Sequence, residues 1–144
     1  MADIRHTTAG GASQQPGAPA RFKDLALDAR DHQALADWWC EAMGYVRRPS
    51  AAGEEQPRAW PVPIVDPAGR GPLIWINPVA EPKTVKNRMH LDVWGDTGRL
   101  LRLGATLVRK RDEDIAWDVL ADPEGNEFCV FAPAEVITAP GEGS

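Results

Sequence analysis

A chain of 144 residues, 43% hydrophobic and 26% charged, has the size and make-up of one globular domain able to bury its own core. Its formal net charge of -5 excludes a function resting on the phosphate backbone of a nucleic acid, which needs a basic face; the basic run Arg109-Lys110-Arg111 is followed at once by Asp112-Glu113-Asp114 and reads as a solvated turn. Two cysteines, Cys40 and Cys129, without CxxC spacing exclude a zinc ribbon, a thioredoxin motif and a disulfide framework; with no N-terminal apolar run and none of membrane length, the expectation is a cytoplasmic protein with no membrane partner.

Residues 1–20, rich in Ala, Gly, Gln, Pro and Thr, hold too little apolar surface to offset ordering and are expected as a disordered tail; His6 lies there and takes no role. The folded domain is expected over 21–133, with a second flexible tail over 134–144. Asp24, Ala26 and Asp28 alternate with Leu25 and Leu27 as on a two-faced strand. Asp31 is placed to cap a helix, and Leu35, Trp38, Trp39, Ala42 and Met43 make its apolar stripe. Gly44 ends it, and Tyr45 to Arg48 reads as the next strand. After a polar loop from Pro49 to Pro61, the strands Trp60–Val65 and Leu73–Asn77 flank the turn Asp66-Pro67-Ala68-Gly69. A connector from Pro78 to Arg88 follows.

The layout then repeats. Met89–Trp94 reads as a strand. Asp96 caps a short helix carrying Leu100, Leu101 and Leu103, and Gly104 closes it. Ala105–Val108 is a strand, and Ile115–Leu120 pairs with Asn126–Phe131 through Asp122-Pro123-Glu124-Gly125. Neither half can close a core alone, so the two must pack together.

Four stretches carry a resemblance to a known family: Asp24 to Asp28 with Asp31; Trp38 to Tyr45; Lys83 to Asp92; and Asp122-Pro123-Glu124-Gly125-Asn126-Glu127-Phe128. Over Phe22 to about Ala132 the chain resembles the glyoxalase-like branch of the vicinal oxygen chelate superfamily. The resemblance implies an α+β fold of two βαβββ modules, forming a curved eight-stranded mixed sheet around a cleft. It also implies one divalent metal in that cleft, acting as a Lewis acid on two neighbouring substrate oxygens. Carried over, its ligand positions fall on Asp24, His90 and Cys129, with the fourth at Asn77 or Trp75. Only His90 has the family's customary residue type; Cys129 stands where glutamate is customary. Cys129 suits a soft metal such as zinc, yet Cys with Asp and Asn makes a mixed set that favours no one ion, so a divalent metal and none are both left open.

Each candidate has an ordinary alternative. His90 and Asp92 share a strand face, where a histidine is either a pocket residue or a hydrogen-bonded structural one. Asp24 either faces the pocket or pairs with Lys23 or an Arg of a neighbouring strand. Glu127 shares its face with Cys129 and Phe131; it is a general base raised by apolar walls, or a solvated edge residue. Cys129 is a ligand or a small buried hydrophobe, and Cys40 is packing. Trp75 and Trp94 are candidates to line a ligand cleft, and Lys83 to bind an anionic substrate or gate the cleft. With Ser50 the one serine between Arg21 and Ala134, a serine triad is excluded, and no dinucleotide, Walker or zinc-protease motif is present. Two functional classes follow. One is a lyase or isomerase-type enzyme on an oxygen-rich small molecule, with Glu127 moving a proton. The other is a non-catalytic binder that sequesters an antibiotic-like molecule. A homodimer is expected from the resemblance.

Overall fold

A computed structural model describes residues 17–133, apart from the side chain of residue 52. The expected C-terminal tail, and the N-terminal tail up to residue 16 with His6, lie outside the described residues. The order is β1 (Leu25–Ala29), α1 (His32–Met43), β2 (Val46–Arg47), a single 3-10 turn at Ala51–Gly53, β3 (Val62–Val65), β4 (Ile74–Pro78), β5 (Leu91–Trp94), α2 (Thr97–Leu103), β6 (Thr106–Arg109), β7 (Asp118–Ala121) and β8 (Glu127–Phe131). This is the duplicated βαβββ plan, α+β as expected. The strands form two four-stranded sheets, ordered β1-β4-β3-β2 and β5-β8-β7-β6, without a hydrogen-bonded seam between them. In each, the first strand lies parallel to the fourth and the other pairs are antiparallel.

Local chemistry sets the helix ends. The Asp31 carboxylate accepts the Ala34 N–H at 3.1 Å, and Gly44 takes the left-handed conformation, φ 74°, that stops α1. Asp96 repeats the cap on Arg99 N–H at 3.0 Å. Several strands are shorter than the sequence pattern suggests. Phe22 is exposed ahead of β1, and Met89 and His90 precede β5. Ile115 stays out of β7 because the Asp112 carboxylate accepts the N–H groups of Asp114 and Ile115, closing a turn instead.

One core joins the halves. Ile64, Ile74 and Ile76 of the first sheet and Leu120, Phe128 and Val130 of the second are buried around Leu35, Trp38 and Trp39 of α1. Trp39 meets Phe128 edge-on with ring centroids 4.9 Å apart. Each such side chain contributes about 2–3 kcal/mol by leaving water. Polar ties fix the packing: Trp38 Nε1 donates to Leu103 O at 3.1 Å, and Trp39 Nε1 to the Asp122 carboxylate at 2.9 Å. Glu124 in the β7–β8 turn accepts the N–H groups of Arg30 and Asp31 at 3.0 and 2.9 Å. The DPEG turn therefore holds the second half against the start of α1 as well as reversing the chain. Among the described residues no helix is long and apolar enough to cross a membrane.

Candidate functional site

Strand alternation divides the second sheet. Phe128 and Val130 turn into the core, while Glu127, Cys129 and Phe131 turn to the opposite face, with Asp92 and Trp94 of β5 beside them. The parallel β5–β8 register places Asp92 against Cys129 and Trp94 against Phe131. His90, just before β5, completes the polar end. Its Nδ1 lies 3.8 Å from Cys129 Sγ and 3.3 Å from an Asp92 carboxylate oxygen. One ligating atom from each of His90, Asp92 and Cys129 lies within 4.8 Å of the other two; among the described residues no other group of three metal-ligating side chains is this close. Burial pushes the Cys129 thiol up, and the adjoining Asp92 carboxylate adds to the shift.

The structure thus brings two expected ligands together, His90 and Cys129, and adds Asp92. Asp24 belongs elsewhere. It flanks β1 in the other sheet, where its carboxylate accepts Lys23 Nζ at 2.7 Å and Trp75 Nε1 at 3.1 Å. The Lys23 bond is the main reason its pKa falls below the ordinary value. Asn77 points Nδ2 at Asp28 from 3.5 Å, and Trp75 carries the Arg48 guanidinium 5.1 Å above its ring. Trp75 and Asn77 therefore sit with Asp24 on the first sheet, away from the His90 group.

Glu127 takes a different part from the one its sequence context suggests. Lys83 Nζ lies 3.0 Å from its carboxylate, and the Asn87 N–H donates to it at 3.0 Å. Burial pulls the carboxyl up, but these two donors outweigh it and leave the pKa below its ordinary value. The carboxyl is lowered, not raised as the general-base alternative expected, and Lys83, a candidate to bind substrate or gate the cleft, is ion-paired to it.

Beyond the polar group lie aromatic rings. Trp94 is 75% exposed and packs against Phe131 at 6.1 Å between centroids; Trp117 packs on the same Phe131 at 5.4 Å. A cleft of about 1100 Å³ runs along the open edge of β5 between the halves, with Asp92 and Trp94 on one wall and Leu25, Met43, Ile74 and Leu100 among the others. Sequence reasoning placed His90 and Asp92 on one face but gave Asp92 no role; the His-x-Asp spacing was the available signal. Alternation alone put Phe131 on the Cys129 face; its contact with Trp117 had no comparable signal, because it depends on the β7–β8 pairing.

Chemically, the His90, Asp92 and Cys129 set fits a divalent metal. Imidazole nitrogen, carboxylate oxygen and thiol sulfur are all zinc ligands, and three protein ligands leave one position free for substrate or water. A thiol held protonated by burial ionises when a metal takes its sulfur, so loading releases a proton.

A family model of the glyoxalase-like domain matches residues 24–131. No curated protein is similar enough to match. Solved structures share the fold. A glyoxalase/bleomycin resistance protein/dioxygenase family enzyme from Burkholderia phytofirmans is 21% identical, with TM-score 0.52, covering 74% of this chain and 93% of its own. The fosfomycin resistance protein FosX of Listeria monocytogenes is 12% identical, with TM-score 0.58, covering 82% and 95%. Glyoxalase I of Leishmania major is 13% identical, with TM-score 0.54, covering 86% and 94%. With the duplicated βαβββ plan in place and a family match over most of its length, this chain belongs to the glyoxalase-like domain family.

Proposed function

We propose that the chain binds an oxygen-bearing small molecule on the outer face of its second sheet, through a divalent metal held by His90, Asp92 and Cys129, and carries out lyase or isomerase-type chemistry on it. The observation that carries this reading is the approach of those three ligating atoms to within 4.8 Å of one another. When bound, such a metal supplies Lewis-acid stabilisation of negative charge on a substrate oxygen. The protein's own residues do the rest. Asp92 on β5 and Cys129 on the neighbouring β8, with His90 just before β5, make up the ligand set. Glu127, held ionised by Lys83 and the Asn87 N–H, ties the connector beside the site and keeps its negative charge on the same face. Asp24 has no place in this ligand set.

The test is metal analysis of protein purified without chelator. The expected result is about one zinc or similar ion per chain in the wild type and its loss in His90→Ala; wild-type protein that takes up no divalent ion contradicts the reading.

A second reading, a binder without chemistry, is favoured by the exposed ring cluster of Trp94, Phe131 and Trp117. Metal-free protein whose tryptophan fluorescence is quenched by an aromatic ligand would support it over the first. A homodimer belongs to the proposal as well. Leu107 and Val108 on the edge strand β6 are exposed, at 48% and 55%, and offer a second copy apolar side chains at that edge. Sedimentation giving only monomer at high concentration removes that element.

A further inference from the structure

The polar group and the ring cluster lie on one sheet face and share one pair of strands. Asp92 and Cys129 are register partners, and so are Trp94 and Phe131 two residues further along the same strands. Two residues of strand span about 7 Å. Trp117, immediately before β7, extends the rings sideways: its plane is tilted 33° to that of Phe131, while Trp94 stands at 66° to it. The result is a shelf of three rings, most open at Trp94, beginning one strand repeat from the ligating atoms.

We infer that the ligand of this site is an amphiphilic small molecule. An oxygen-bearing head sits at His90, Asp92 and Cys129, and a flat aromatic or unsaturated group, about 7 Å away, lies on Trp94, Phe131 and Trp117. The inference rests on the proposed reading of the polar group and adds the substrate class to it. Two features favour a small molecule over a protein on this face. The ring shelf adjoins a histidine, a carboxylate and a thiol, which a flat apolar protein surface would bury without replacing their water. A ligand with a polar end one strand repeat from its ring satisfies both parts together. Tryptophan and phenylalanine edges and faces also suit a ring, because offset and edge-on contacts are attractive beyond the area they bury.

The experiment compares two hydroxamates on zinc-supplemented wild-type protein by tryptophan fluorescence and calorimetry. Acetohydroxamate offers the head alone; the second carries a phenyl ring on a three-carbon chain. The phenyl compound is expected to bind about tenfold tighter or better, and Trp94→Ala is expected to lower it to the affinity of acetohydroxamate. Metal content measured on the same samples reports that the polar end is intact. Trp94 is so exposed that its removal leaves the core untouched; Trp117→Ala gives an independent second variant. Equal affinity of the two compounds, or a phenyl gain that survives both variants, overturns the inference while the metal reading stands. A Trp94-dependent phenyl gain on wild-type protein that takes up no divalent ion supports the shelf and removes the metal reading instead. Shielding of Trp94 that grows with protein concentration, without ligand, overturns the inference in favour of a second copy on this face.

Discussion

The two sheets are built on one plan, yet their outer faces differ. On the first, side chains neutralise one another locally: Asp24 takes Lys23 and Trp75, Arg48 lies over Trp75, and Asn77 leans on Asp28. On the second, His90, Asp92 and Cys129 converge with no ammonium or guanidinium ion-paired to them among the described residues, and Lys83 of the preceding connector is taken up by Glu127. Duplication supplies the scaffold and the positions. In the proposed reading, which half carries a site depends on whether the residues there satisfy each other or leave ligating atoms together.

The inner faces differ too, and this sets the largest expected effect. Val62, Ile64, Ile74 and Ile76 make the first sheet's inner face apolar, whereas the second buries Asp118, which is 4% exposed. Its carboxylate accepts Arg111 Nη2 and Nε at 2.9 and 3.1 Å, the Thr97 hydroxyl at 2.6 Å and the Arg111 N–H at 2.7 Å. The Arg111 guanidinium first, with Thr97, holds its carboxyl far below the usual range. Asp118→Ala is expected to cost about 3 kcal/mol, read by urea denaturation. Because the folded pKa is depressed, the stabilisation is fully present above the unfolded carboxylate value, about 4, and is lost as pH falls through the folded value. In Asp118→Asn that part of the acid-side slope should vanish; an unchanged slope would place it on other carboxylates.

A smaller effect tests the connector. Lys83→Met leaves a half-buried Glu127 carboxylate with the Asn87 N–H but no cation, and should cost about 1–2 kcal/mol. The sign of the pH effect follows as before: Glu127's lowered pKa stabilises the fold above the unfolded value, and Lys83→Met should flatten that dependence between about pH 5 and the folded pKa. Hydrogen exchange at Asn87 should speed up in the variant. The smallest effect lies on the first sheet, where Arg48→Gln removes an exposed guanidinium from Trp75 and should change stability by about 0.5–1 kcal/mol without altering metal content.

What was legible in the sequence was local. Asp31, Asp96 and Gly44 announce helix ends because capping depends on the next few residues, and Asp122 to Gly125 announces its turn for the same reason. The strand start was misjudged at Met89, since alternation runs on past the last paired residue. His90 and Cys129 were reached through family positions. Asp92 and the anchoring of Glu127 were not, because each depends on a contact across long sequence separations: the β5–β8 register in one case, a 44-residue span to Lys83 in the other. Asp24 looked equivalent to His90 by position, but Lys23 next to it and Trp75 across the parallel pair had already claimed its carboxylate.

The most direct test of the central claim is cobalt(II) loading followed by absorption. A site made by His90, Asp92 and Cys129 predicts a thiolate-to-cobalt charge-transfer band in the near ultraviolet, lost in Cys129→Ser, weakened at least tenfold in cobalt affinity by Asp92→Ala, and unchanged in Asp24→Ala. Cobalt that binds without the thiolate band, or binding that depends on Asp24 and not on Asp92, would contradict it.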